Sequence, residues 1–137
     1  MQLAHPAIPQ SNAGRWTGRT LSALSIAFML LDAGMKLARA RVSVEATIGL
    51  GYPETMVFGL GALLLISTLL YALPQTSVLG AIVLTGYLGG AVASNLRIGT
   101  PLFSNVLFPV YVAVMVWGGL YLREPRLRAL VPFRGSI

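Results

Sequence analysis

The chain has 137 residues, 55% of them hydrophobic and only 10% charged, with ten lysines and arginines against four acids and no cysteine. A soluble domain needs about 25% charged residues to hydrate its surface, so the composition is that of a membrane protein; the missing cysteine excludes disulfides, thiolate metal sites and Cys-x-x-Cys redox chemistry. The net charge of +6 forms no basic stripe, so nucleic-acid binding is not expected, and the arginines read as topology signals and anchors for anionic lipid.

Length suggests one domain, and a bilayer-spanning helix needs roughly 20 mostly apolar residues. Residues 1–16 read as a flexible cytoplasmic tail whose single histidine, His5, is expected to be solvated. The first 15 residues are polar and broken by proline, unlike a cleavable signal peptide, so the first apolar segment is expected to stay as an anchor. That segment, residues 17–38, follows Trp16, which suits the membrane interface, and leaves through Arg39 and Arg41. "VSVEATIGLGYP" (42–53) is too short and polar to span and is expected as a loop or a short interfacial helix, with Gly49, Gly51 and Pro53 marking the turn.

The second span covers residues 54–73, and "PQTS" (74–77) connects it tightly to a third at 78–96; helices joined so closely run antiparallel. "RIGTP" breaks the chain before a fourth span at 103–122, and residues 123–137 form a basic cytoplasmic tail. The expected fold is therefore all-α: an integral membrane four-helix bundle, up-down-up-down, within residues 17–122. Arg15, Arg19, Arg123, Arg126, Arg128 and Arg134 flank one side, against Lys36, Arg39, Arg41 and Arg97 on the other, which places both termini in the cytoplasm by the positive-inside rule. The expected location is multi-pass in a membrane, the bacterial inner membrane.

Within the third span, Gly86, Gly90 and Ser94 repeat at four-residue spacing and are expected to form a helix-packing face. "GYLGGA" is not a nucleotide loop, because no strand precedes it.

"LLDAGMKL" places Asp32 and Lys36 four residues apart in otherwise lipophilic sequence, on one helix face where they can pair. Asp32 lies about one turn, roughly 6 Å, deeper than Lys36. Two readings of this pair stand: a structural clasp between helices, or an intramembrane ligand or proton site.

Antiparallel threading gathers further polar residues at the same level. They are Tyr52 and Glu54 at the start of span two, Ser94, Asn95 and Arg97 at the end of span three, and Thr100, Ser104 and Asn105 at the start of span four. The opposite end carries polar groups only at the water boundary and is expected to be an apolar plug. The candidate ligand-binding set is Asp32, Lys36, Glu54, Tyr87, Asn95, Arg97 and Asn105, with Tyr111 and Trp117 as further aromatic walls. No metal is expected, since there is no Glu-x-x-His and no histidine cluster. No cofactor is required by these residues; a bound quinone or other isoprenoid lipid is the ligand class they would suit.

"LTGYLGGAVASNLRIGTPLF" (84–103), "LFPVYVAVMVWGGLYLREPRLRALVP" (107–132) and "LLDAGMKL" together resemble the DoxX-like family of small four-helix membrane proteins over residues 20–132. The resemblance implies a four-helix bundle with cytoplasmic ends and an association with membrane oxidoreductase assemblies, but no assigned catalytic residue. Similar members often carry histidine where this chain has Asn95, and sometimes at Asn105. Asparagine does not titrate near neutral pH, which leaves Asp32 as the candidate proton carrier. The bundle also resembles vitamin K epoxide reductase, whose cysteine-pair chemistry this chain cannot perform.

Two main functions follow: an accessory subunit of a larger membrane complex of oxidoreductase type, without independent enzymatic activity, or a binding or catalytic protein for a lipophilic ligand in the outward half. A small transporter is a third, needing an oligomer because the inward half lacks polar lining. The partners expected are membrane lipids and a larger complex or a homo-oligomer.

Overall fold

Six α-helices and one π-helical turn make up residues 12–130, the part of the chain that the computed structural model describes; no strand occurs among them. His5 and Arg134 lie outside the described residues.

Helix α1 (Asn12–Leu37) starts within the stretch expected as tail and carries Trp16 exposed, with the Arg19 guanidinium 5.8 Å from the ring centroid. It stops because Arg39 turns into the left-handed region (φ 54), where the Ala40 N–H reaches Met35 O at 2.8 Å and the Arg39 N–H reaches Lys36 O at 3.1 Å. This is a Schellman end with an arginine where glycine is usual. Helix α2 (Arg41–Gly49) follows at once, so the segment expected as loop or short helix is the latter, and it ends at Gly51 (φ 93).

Helix α3 (Met56–Ala72) begins after Pro53, and Leu73 is extended because Pro74 forbids it a helical conformation. The orphaned carbonyls at this helix end are met by side chains: the Thr76 hydroxyl donates to Leu70 O (2.7 Å), and that of Ser77 to Tyr71 O and Leu73 O (2.9 and 2.8 Å). The chain turns directly into α4 (Ser77–Ile98). Gly99 (φ 73) closes α4 with a second Schellman pattern, Gly99 N–H to Leu96 O and Thr100 N–H to Asn95 O, both 3.2 Å.

The fourth apolar stretch is divided. Leu102–Val106 is a π-helical turn, with the Leu107 N–H bonded to Leu102 O, and helix α5 (Phe108–Arg123) follows with Pro109 in its first turn. Proline lacks the N–H that a continuous α-helix would need there, and the wider turn accommodates the loss. Pro125 starts a short α6 (Pro125–Leu130), which buries Leu127.

Residue contacts fix the packing. Gly61 lies on Ala33 and Lys36 while Tyr71 meets Ser22, so α1 and α3 run antiparallel. Gly18 lies on Leu122, Ser22 on Gly119 and Phe28 on Phe108, so α1 and α5 do too. Helix α4 packs on the same two helices as α1, which leaves α1 and α4 facing across a diagonal.

Three segments are long and apolar enough to cross a membrane: Asn12–Leu37, Ser77–Ile98 and Leu102–Arg123; Met56–Ala72, at 17 residues, is shorter. Their outer faces expose Leu31, Phe58, Ile66, Ile82 and Val114, while Ser22, Ser25, Ser67, Thr68 and Ser77 are buried. Apolar residues outside and small hydroxyls inside form a pattern suited to lipid, where close packing and hydrogen bonds join helices. Most buried hydroxyls return their proton to the carbonyl four residues back, as Ser25 does to Leu21 O and Thr68 to Leu64 O.

Candidate ligand site

At the end that carries α2, the diagonal between α1 and α4 stays open. A cavity of about 570 Å³ lies there, bounded by Phe28, Asp32 and Lys36 of α1, by Ser43 and Thr47 of α2, by Gly86, Tyr87, Gly90 and Ser94 of α4, and by Phe108 and Val112 of α5. Its size falls within the roughly 300–1,000 Å³ typical of small-molecule sites.

Asp32 and Lys36 form the expected ion pair on the wall. Lys36 is the better covered, at 14% exposure against 34% for Asp32, because its stem packs over Gly61. Lys36 thus joins α1 to α3 through its aliphatic part and neutralises Asp32 with its ammonium.

Tyr52, in the turn after α2, meets Ser94 at 2.6 Å between hydroxyls. Ser94 already donates to Gly90 O at 2.8 Å, so Tyr52 is the donor. This bond and that from Arg97 Nη2 to Leu50 O (2.8 Å) tie the far end of α2 to α4. The Arg97 guanidinium lies against Gly51, where a Cβ would approach within 2.8 Å of Nη2.

The candidate residues therefore divide. Asp32, Lys36 and Tyr87 come together on the cavity wall, whereas Glu54, Asn95, Arg97 and Asn105 do not line it. Glu54 is exposed ahead of α3. Asn95 is used up by the helix end, its amide donating to Ala91 O (2.9 Å) and its Oδ1 accepting from the Thr100 hydroxyl (3.1 Å). Arg97 serves the α2 loop, and Asn105 accepts from Ser104 on an exposed turn. Of the aromatic residues, Trp117 donates to the Thr85 hydroxyl (2.6 Å) and Tyr111 to Phe103 O (3.0 Å); both stand outside the cavity.

Gly86 and Gly90 have nothing within 4 Å of where a Cβ would stand, so they form the cavity wall and not a seam between helices. The close approaches occur at Gly18, Gly61, Gly80 and Gly119. At the opposite end, the expected apolar plug is replaced by a buried polar chain. Tyr71, 0% exposed, donates to Val116 O (2.6 Å), so the Ser22 hydroxyl donates to Tyr71 (2.9 Å) and accepts from Arg123 Nε (2.9 Å). The Arg123 guanidinium also covers the Tyr71 ring at 5.4 Å. Tyr71 and Arg123 looked like water-boundary residues because their partners are distant in sequence and only packing joins them.

Residues 20–119, which carry every cavity-lining segment, match the family model described as the DoxX-like family. The chain belongs to the DoxX-like family. The match ends at Gly119, short of the 132 expected from the Trp-Gly-Gly-Leu-Tyr-Leu-Arg ending. No curated protein and no solved structure matches this DoxX-like protein. Family and apolar helices together make it a membrane protein. Among the described residues no cluster of His, Cys, Asp and Glu could hold a metal ion.

Proposed function

We propose that this DoxX-like protein binds a lipophilic molecule drawn from the membrane, a quinone or other isoprenoid being the leading class, in the cavity between α1 and α4. The single observation that carries the reading is that the intramembrane pair Asp32–Lys36 borders a space of about 570 Å³ whose other walls are mainly apolar. A site of this kind, apolar with few placed polar groups, gives a lipophile burial for its body and orientation for its head. The protein would sit as an up-down-up-down bundle of four spans in the bacterial inner membrane. Arg15, Arg19, Arg123, Arg126 and Arg128 would lie on the cytoplasmic side and the cavity towards the outer leaflet.

Gly90→Leu tests this reading. Its side chain enters the cavity, and its Cβ has nothing to displace. The protein is extracted gently from its own membrane and examined by native mass spectrometry. A small lipophilic molecule bound to the native protein and missing from Gly90→Leu is the expected result. Equal retention by both refutes the reading. The accessory-subunit role rests on the family resemblance, the small size and the lack of residues for a redox centre, and a stoichiometric protein partner with no cavity ligand in the same spectra would favour it.

A further inference from the structure

The polar groups around the cavity are not equally committed. Lys36 and Asp32 neutralise each other, Tyr52 gives its proton to Ser94, and Ser94 gives its own to Gly90 O. Tyr87 differs: like that of Ser43 on α2, its hydroxyl makes no hydrogen bond with any described residue, and it stands on the α4 wall between Gly86 and Gly90. A half-buried phenol on a mainly apolar wall gains from an acceptor.

The charges narrow what that acceptor can belong to. An anionic head would be attracted by Lys36 but repelled by Asp32 four residues away, and a cationic head meets the reverse. Either must also shed its water to enter, a cost that an already neutralised pair does little to offset. An uncharged head loses far less on entry and finds an uncommitted donor in Tyr87.

Resting on the cavity being a ligand site, we propose that its occupant is a membrane lipophile with an uncharged head bearing a carbonyl or hydroxyl oxygen, which accepts a hydrogen bond from Tyr87. The apolar body fills the space beside Gly86 and Gly90, and the Asp32–Lys36 pair excludes charged amphiphiles of the same length.

One tail with four heads tests this. Farnesylacetone, farnesol, farnesoic acid and farnesylamine are titrated at neutral pH into the detergent-solubilised full chain, with occupancy read by native mass spectrometry. The ketone and alcohol are expected to bind at least about tenfold tighter than the acid and amine. Tyr87→Phe should weaken both neutral probes about five- to tenfold, the scale of one hydrogen bond, without lowering the unfolding midpoint, since the hydroxyl has no partner among the described residues to lose. Binding that ignores head charge, or neutral-probe affinities unmoved by Tyr87→Phe, overturns the head-group assignment. If Gly90→Leu still abolishes that binding, the cavity itself stands. Retention of none of the four probes overturns both.

Discussion

Gly80 and Gly90 lie on the same helix and should respond in opposite directions to the same substitution. A Cβ at Gly80 would stand 2.2 Å from Tyr71 N, 2.5 Å from Tyr71 Cα and 2.7 Å from Leu70 C, all backbone atoms that cannot swing aside. To restore ordinary contact α4 must retreat from α3 by about 1 Å, against the turn that the Thr76 and Ser77 hydroxyls hold closed. Overpacking of this kind costs about 1–3 kcal/mol, and the better helix propensity of alanine returns up to about 1 kcal/mol. Gly80→Ala is thus expected to lose about 1–2 kcal/mol net. At Gly90 nothing lies within 4 Å of the new methyl group, so only the propensity term remains. Gly90→Ala is expected to gain about 0.5–1 kcal/mol. Reversible unfolding by SDS titration in mixed micelles, followed by far-UV circular dichroism, measures both. Gly80→Ala as stable as the native protein, or Gly90→Ala clearly less stable, would place the helix contact on the Gly86/Gly90 face and refute the packing described above.

The ion pair and the buried tyrosine can be tested in the same titration. Removing one partner of a buried pair costs about 3–5 kcal/mol, but Asp32 keeps 34% exposure, so Asp32→Asn is expected to lose only about 1–2 kcal/mol. The double variant Asp32→Asn/Lys36→Met should recover to within about 0.5 kcal/mol of the native protein, whereas additive losses would show that the two side chains do not act as a pair. Tyr71→Phe deletes the bonds to Ser22 and Val116 and should cost about 1–2 kcal/mol, since interhelical hydrogen bonds in membranes average about 0.6 kcal/mol each. Adding Ser22→Ala to Tyr71→Phe should cost less than Ser22→Ala alone; equal costs would refute the coupled chain.

The four apolar stretches were legible because uninterrupted runs of Leu, Val, Ile and Ala allow little but helix in lipid, and because Pro53, Pro74, Gly99 and Pro101 punctuate them. The break ahead of α5 was not, since Pro109 gives no sign in the sequence whether it will start a helix or bend one. Spacing also misplaced the small residues. A glycine at every fourth position is needed equally where two helices touch and where a cavity must be kept clear, so Gly86 and Gly90 carry the same signal for both. Asn95 was misread for a local reason: "NLRIGT" contains its own helix stop, and Thr100 occupies the side chain that looked free. Asp32 and Lys36 were readable because four-residue spacing on a helix dictates their contact; Ser22, Tyr71 and Arg123 meet only through tertiary packing.

The two ends of the helix assembly are packed differently, and that contrast bears on the role of Asp32 and Lys36. At the α6 end Tyr71 and Ser22 fill the gap with a ring and a directed run of hydrogen bonds, and Gly18, Gly80 and Gly119 draw the backbones together around it. At the α2 end Gly86 and Gly90 leave part of the wall bare, and the charged pair lies on the wall of the same space. A clasp between helices would be satisfied by Lys36 lying over Gly61, with Asp32 beside it and alanine at positions 86 and 90, which α4 would accept with a gain in stability. Keeping those positions bare forgoes that gain. Stability left unused beside that pair favours the proposed ligand site over a purely structural role.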